Sequence, residues 1–328
     1  MTSIAIVGQG AMARAHAKAW SEIGLSESIS FVCGRSEAVP LDGAPRARFV
    51  TDLDVILRDQ AVTIVSVCTP TPTHAEIAIR CLTAGKNVLL EKPIALTLTD
   101  AQAISEVAAS SDGVLMVAHV VRFFDGYRAI REQAEAGVLG TILTARAQRF
   151  SPAPQASSWW HDESKSGGVL VDFSIHDFDQ LNVFLGRPLA VSARRARPDG
   201  PFEVAVDYER GCSGQVLSFM GMPAGFSFAS SIELLGSRGI ADYRFGGSLG
   251  ESGSDGDSYQ MMTAAGALAS PITRGNPYAA QARYFLDCVE RNAAPEFCPT
   301  DSAVLALAVS LAARESYAAG RVVEVRSV

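Results

Sequence analysis

The sequence predicts a two-domain α/β protein, in which a doubly wound parallel sheet is followed by an α+β domain built on a mostly antiparallel open sheet. Three observations carry this expectation. A chain of 328 residues, at about 150 residues per domain, is sized for about two domains. Up to residue 120, short β-branched runs alternate with helix-like stretches, the pattern of parallel strands joined by crossover helices. Beyond Val120, longer alternating runs are joined by turns, the pattern of antiparallel strands. The composition suits a packed core, with 48% hydrophobic and 19% charged residues, fewer charges than the roughly 25% of ordinary soluble domains.

Residues 1–120 are expected to form the first domain. Its strands are predicted at Ser3–Val7, Ile29–Cys33, Val62–Val67, Asn87–Leu90 and Val114–Ala118. Helices are predicted at Ala11–Ser21, Leu53–Asp59, Ala75–Ala84 and Asp100–Ala109, with Thr99 and Asp100 as N-cap chemistry for the last. Residues 121–328 are expected to form the second domain. Its strands are predicted at Ile142–Phe150, Leu189–Arg197, Phe202–Tyr208, Gln215–Met220, Phe226–Leu235 and Gly239–Phe245, and its helices at Asp125–Ala136, Asp177–Leu185, Tyr278–Arg291 and Ser302–Ala319. The Gly- and Ser-rich stretch Gly246–Ser258 is expected to be a mobile surface loop; its Asp255 and Asp257 lack the ordered spacing of a calcium loop.

Charge and hydropathy exclude several partners. With 28 Lys and Arg against 35 Asp and Glu, the net charge is -7, without the basic footprint that neutralises nucleic-acid phosphates. The apolar run Ala303–Ala313 is too short for the roughly 20 residues that cross a bilayer, and Met1–Val7 reads as a buried strand rather than a signal peptide. A cytoplasmic location is therefore expected, with neither nucleic acid nor membrane as partner. The cysteines, at positions 33, 68, 81, 212, 288 and 298, offer no C-x-x-C spacing and read as reduced core thiols. No H-E-x-x-H or clustered His and Cys set points to a metal, and no G-x-S-x-G nucleophile elbow is present.

Gly8-Gln9-Gly10-Ala11-Met12-Ala13 matches G-x-G-x-x-G/A between a predicted strand and a predicted helix, the context that makes this pattern a dinucleotide cradle. Gly8 permits the tight turn, Gly10 lets the backbone approach a pyrophosphate, and Ala13 lets the helix pack closely, its N-terminus facing the anion. The second strand ends Cys33-Gly34-Arg35-Ser36, without the acidic residue that commonly reads an NAD ribose. Arg35 and Ser36 suit a 2′-phosphate, so NADP is preferred over NAD. A solvated-turn reading of Arg35 remains open, and Glu37 keeps NAD as the alternative.

Three further segments follow in order: Cys68-Thr69-Pro70-Thr71-Pro72-Thr73-His74, Glu91-Lys92-Pro93, and Gly167-Gly168-Val169-Leu170-Val171-Asp172-Phe173-Ser174-Ile175-His176-Asp177. With the Gly8 fingerprint, they resemble the glucose-fructose oxidoreductase, inositol dehydrogenase and MocA family over nearly the whole chain. The resemblance implies a Rossmann domain joined to an antiparallel-sheet domain, and hydride transfer between nicotinamide and a sugar, polyol or cyclitol. It implies Lys92, Asp172 and His176 as the catalytic residues. It also implies Thr69, Pro70, His74, Glu91 and Lys92 along the cofactor, and Arg122 and Trp160 with Asp172 and His176 toward the substrate. A homodimer or homotetramer pairing through the broad sheet follows from the same resemblance.

Local chemistry agrees with these roles. Lys92 ends a parallel strand, where ligands bind in open α/β sheets. Asp172 and His176 are four apart, so on one helical turn the carboxylate would orient an imidazole that exchanges the substrate proton. Arg122 has a second reading as a structural ion pair. Trp159 and Trp160 read either as a ring face for a sugar or as a loop anchor. His16 reads as helix surface or packing, and His74 as a local hydrogen-bonding residue. The competing functions are a catalytically silent nucleotide-binding regulator on the same fold and an NAD-dependent glycosidase.

Overall fold

Strands rich in Ile and Val on both faces need cover on both sides, and the first third of the chain supplies crossover helices at the matching intervals. The computed structural model describes residues 2–37, 39–154, 159–247, 257–272 and 275–326, with the Trp159 side chain outside that description. In order come β1 (Ser3–Val7), α1 (Ala11–Glu22), β2 (Ile29–Cys33), β3 (Arg48–Val50), α2 (Leu53–Arg58), β4 (Val62–Val67), α3 (His74–Thr83), β5 (Asn87–Leu90), α4 (Leu98–Ser110) and β6 (Leu115–Val117). These strands form a parallel six-stranded sheet, ordered β3-β2-β1-β4-β5-β6. The order reverses at β1 and β4, the switch point where open α/β sheets bind ligands beyond their strand ends. Helix α1 buries Ala13, His16, Ala17 and Trp20, the three-and-four spacing of one face, and the Trp20 indole donates to Ser66 Oγ at 3.0 Å.

The rest comprises α5 (Asp125–Glu135), β7 (Ile142–Pro152), α6 (Glu163–Ser166), α7 (Ile175–Leu185), β8 (Pro188–Arg194), β9 (Phe202–Tyr208), β10 (Ser213–Met222), β11 (Phe228–Gly236), β12 (Gly239–Gly247), β13 (Ser258–Thr263), β14 (Gly266–Leu268), α8 (Pro277–Arg291), α9 (Thr300–Ala319) and β15 (Val323–Glu324). Among the described residues the second sheet has nine strands, ordered β14-β13-β12-β11-β7-β10-β9-β8-β15. Its neighbours are antiparallel except β7 and β10, which run parallel. Ala145 and Ala147 of β7, Val216 of β10 and Ile232 and Leu234 of β11 are buried, with more exposed residues between them, the period of two that covers one face. Helix α7 packs on β7 and β10.

The described residues fall into two compact units, one of the chain up to Val120 with Asn276–Val304, the other of Val121–Gly275 with the chain from Leu305. The expectation of 121–328 as one continuous domain is corrected over 276–304. The reason is the apolar face of α8, where Tyr278, Ala282 and Phe285 are buried and which packs on α1 of the first unit. The cap of α4 is corrected too. Thr97 is its N-cap, with Oγ1 accepting the Asp100 N–H at 3.1 Å, so the S/T-x-x-D/E box begins two residues before Thr99. Of the Gly246–Ser258 stretch, 248–256 including Asp255 lie outside the described residues; Asp257 accepts the Tyr243 hydroxyl at 3.1 Å. All six cysteines are buried thiols.

Candidate active site

At the end of β1 the chain turns through Gly8 with φ 119°, a backbone region that favours glycine. A Cβ there would stand 2.5 Å from the Cys68 carbonyl oxygen, so the turn also needs glycine to let β4 come close. Gly10 is the N-cap of α1, and no side chain caps that helix or places an acid in its first turn. A Cβ on Gly10 would meet nothing within 4 Å, while Ala13 is fully buried. Uncapped first-turn N–H groups of Ala11 and Met12 beside an open space fit a dinucleotide pyrophosphate.

Beyond β2, Arg35 and Ser36 are exposed. The Gln9 side chain lies over Gly34, filling the place of a Cβ there, and its Nε2 donates to the Glu37 carbonyl at 3.1 Å. The glycine turn is thus tied to the loop that carries Arg35.

The ends of β4 and β5 bring the next two motifs together. The Thr73 hydroxyl oxygen lies 2.8 Å from both Thr69 Oγ1 and the Pro70 carbonyl oxygen. His74 is buried, with Nε2 2.9 Å from the Thr69 carbonyl and Nδ1 2.8 Å from the Pro93 carbonyl. Burial pushes the His74 pKa down, against the two carbonyls that favour its protonated form. The Lys92–Pro93 peptide is cis, and Lys92 is half-buried.

Glu91, expected along the cofactor, is buried and turns its carboxylate to the protein. Oε1 is 2.9 Å from His16 Nε2, and Oε2 accepts the Lys92 backbone N–H at 3.2 Å. His16 is therefore corrected from a surface or packing residue to half of a buried ion pair. Burial works against its charged form, but Cys68 and Glu91 on its flanks outweigh burial and push its pKa up to about 10. Burial pushes the Cys68 thiol itself up.

In the other unit, Gly167 and Gly168 both have positive φ and lead into a π-helical turn, Val169–Phe173, that carries Asp172. Ser174 separates this turn from α7, whose first turn carries His176. The expectation that Asp172 and His176 share one α-helical turn is corrected, because the glycine pair feeds a wider turn before the helix starts. Asp172 Oδ2 accepts the Trp160 indole N–H at 2.8 Å, so the ring expected to face a sugar carries a hydrogen bond to the predicted catalytic carboxylate. The 3-10 turn Trp159–His161 and Asp162, which caps α6, hold that ring's backbone.

Arg122 takes the ion-pair geometry of its two readings. Buried, it holds Asp179 through Nε to Oδ2 at 2.8 Å and through a terminal nitrogen to Oδ1 at 2.6 Å. Arg149 holds Asp177 likewise, with both contacts at 2.9 Å, and lies over the rings of Phe173 and Phe228. Burial pushes the Asp177 carboxyl up while Arg149 pulls it back. Bidentate forks of this kind fix orientation as well as charge, and these two hold α7 beside His176. The spacings, 57 residues for Arg122–Asp179 and 28 for Arg149–Asp177, left no local signal of either pair.

Two family models match this chain. One, GFO_IDH_MocA, an oxidoreductase family with an NAD-binding Rossmann fold, covers residues 2–119, and the GFO/IDH/MocA C-terminal domain covers residues 127–242. The scyllo-inositol 2-dehydrogenase (NAD(+)) of Bacillus subtilis (strain 168) is 26% identical, over 98% of this chain and 95% of that protein. The myo-inositol 2-dehydrogenase of Thermotoga maritima is 32% identical over 49% of this chain, which there spans only 46% of that protein. A solved levoglucosan dehydrogenase in complex with NADH shares the fold with a TM-score of 0.85 and 20% identity, over 100% of both chains.

Proposed function

We propose that this chain, which belongs to the GFO/IDH/MocA family of NAD-binding oxidoreductases, transfers a hydride between a nicotinamide dinucleotide and a CH–OH or carbonyl carbon of a cyclitol or sugar. The observation that carries the reading is the uncapped, open glycine turn at the switch point, in the same unit as a lysine at the end of a parallel strand. Inositol dehydrogenases among the relatives support the substrate class. The first-turn amides of α1 hold the pyrophosphate, and Arg35 and Ser36 hold the 2′-phosphate of NADP, the preferred cofactor, with Thr69, Pro70 and His74 along the nicotinamide side.

When bound, the nicotinamide takes up or returns the hydride. The Lys92 ammonium holds the reacting oxygen. His176 takes the hydroxyl proton at an imidazole nitrogen during oxidation, and Asp172, steadied by Trp160, orients that imidazole. Arg122 serves the site by holding α7 through Asp179. No helix of the described residues is long and apolar enough to cross a membrane. A cytoplasmic homodimer or homotetramer, with neither nucleic acid nor membrane as partner, completes the reading.

The test is an activity panel of inositols, aldoses and acyclic polyols with NADP and with NAD. Turnover is expected with at least one inositol or sugar. Cofactor binding without turnover of any of them would leave a silent nucleotide-binding protein, and leaving-group release without net cofactor reduction would mark a glycosidase.

A further inference from the structure

Lys92 follows a residue held by one buried histidine and precedes a residue held by another. On the Glu91 side, His16 Nε2 meets Oε1 at 2.9 Å while Oε2 accepts the Lys92 N–H at 3.2 Å. On the Pro93 side, His74 Nδ1 meets the carbonyl oxygen at 2.8 Å, its other nitrogen lying 2.9 Å from the Thr69 carbonyl. Both imidazoles are almost fully buried, and neither moves a proton in the reaction proposed above. They arrive from different elements. His16 lies six residues past Gly10 on the helix that opens at the glycine turn, and His74 opens α3 after the Thr69–Pro70 segment.

A brace of this kind answers a specific need. Strand β5 ends at Leu90, and its ladder is extended by one bond, Glu91 N–H to the Val67 carbonyl at 2.9 Å. Beyond it, side chains meet the Lys92 N–H and the Pro93 carbonyl, from Glu91 and His74 in turn. A lysine has a long flexible stem, so its ammonium can be placed reproducibly only when its Cα is fixed. The Glu91 carboxylate does this with a charge-assisted bond to the Lys92 amide. A carboxylate buried away from water is costly unless its charge is paired. His16 supplies the cation.

We infer that His16 and His74 are positioning residues that fix the Lys92 backbone from its two sides and tie its place to the helix cradling the dinucleotide. This rests on the reading of Lys92 as the residue that holds the reacting oxygen. The other groups facing His16 are Cys68 and Glu91; those facing His74 are Glu91, Lys92 and the Thr69 and Pro93 carbonyls.

The test uses the full chain and its His16→Leu, His16→Gln and His74→Leu variants. The lysines of the sequence are Lys18, Lys86, Lys92 and Lys165, so ¹³C-dimethylation gives a simple NMR spectrum, in which Lys92→Arg assigns the Lys92 signal. His16→Leu and His74→Leu are expected to move that signal and leave the Lys165 signal in place. His16→Gln, whose amide N–H still donates to Glu91, should return it toward the wild-type position. In kinetics with the substrate found in the panel, His16→Leu should lower kcat by ~10- to 100-fold, the scale of a catalytic group misplaced by about 1 Å, with little change in substrate KM and partial recovery in His16→Gln.

A Lys92 signal and a kcat unchanged in folded His16→Leu and His74→Leu would overturn the proposal, leaving the histidines as packing. Should His16→Leu fail to fold, Glu91→Gln removes the same charge from the other end of the bond with no change of shape, and is read by the same two measurements. The spectrum needs no substrate, so an enzyme inactive on the whole panel would sink the proposed function while the Lys92 signal still judged the brace.

Discussion

Trp160 gives its indole hydrogen to Asp172, which leaves the carboxylate one fewer lone pair with which to meet an imidazole. His176 is the group expected to exchange the proton, a role worth ~10²- to 10⁴-fold in rate. His176→Ala should lower kcat by about that factor and leave calorimetric cofactor affinity nearly unchanged. In the oxidation direction, wild-type kcat should rise with pH as the base loses its proton. A His176→Ala enzyme with wild-type rate and profile would show that the proton leaves elsewhere. Arg35, exposed after β2, carries the cofactor preference: NADP should bind more tightly than NAD, and Arg35→Ala should weaken NADP binding while sparing NAD. Equal affinities in the wild-type protein would make Arg35 an ordinary turn residue. The catalytic candidates were legible because they sit in ordered motifs. The partners that hold them were not, since His16 and Glu91 are 75 residues apart and only the folded sheet joins them.

The turn between β1 and α1 holds two glycines whose tolerances differ, and this separates folding from binding. Gly8→Ala puts a Cβ at φ 119° and 2.5 Å from the Cys68 carbonyl, so it should cost ~1–3 kcal/mol of stability in a denaturant titration. Gly10→Ala, with φ -78° and open space around its Cβ, should leave stability almost unchanged and weaken dinucleotide binding, because the methyl enters the space the pyrophosphate needs. Equal stability loss in both would remove the reason for reading Gly10 as part of a cradle. The same physics decided which elements could be read. Strands β1, β2, β4 and β5 are buried β-branched runs between glycine or polar turns, and their bounds are those expected. Strand β3 is three residues with one exposed and two half-buried, too short for a period to register. The outer strand β14 is wholly exposed, so no apolar alternation announced it.

For the whole chain, the buried His16 couples stability to pH. Its folded pKa, pushed up to about 10 from 6.5, means that the native state holds a proton the unfolded chain releases. Its contribution is fully present below about pH 6.5 and is lost as pH rises toward 10. Cys68, raised above 9.0, acts with the same sign only at higher pH. Between pH 7 and 8.5 the urea midpoint should therefore fall with pH in the wild-type chain and stay flatter in His16→Gln; parallel slopes would remove His16 from this role. At this scale the two-unit division shows what sequence patterns miss. Helix α8 was legible as a helix, but the unit that receives its apolar face is decided by α1, far from it in the chain. The parallel pairing of β7 with β10 has a further consequence, for synthesis. Thr144 finds its partner Ser213 69 residues later, and the other neighbour of β7, β11, follows later still. A nascent chain therefore carries β7 with both edges unsatisfied while the segments that will cover them are still being translated. Such edges invite pairing with other chains, and the second of them waits until β11 has been made.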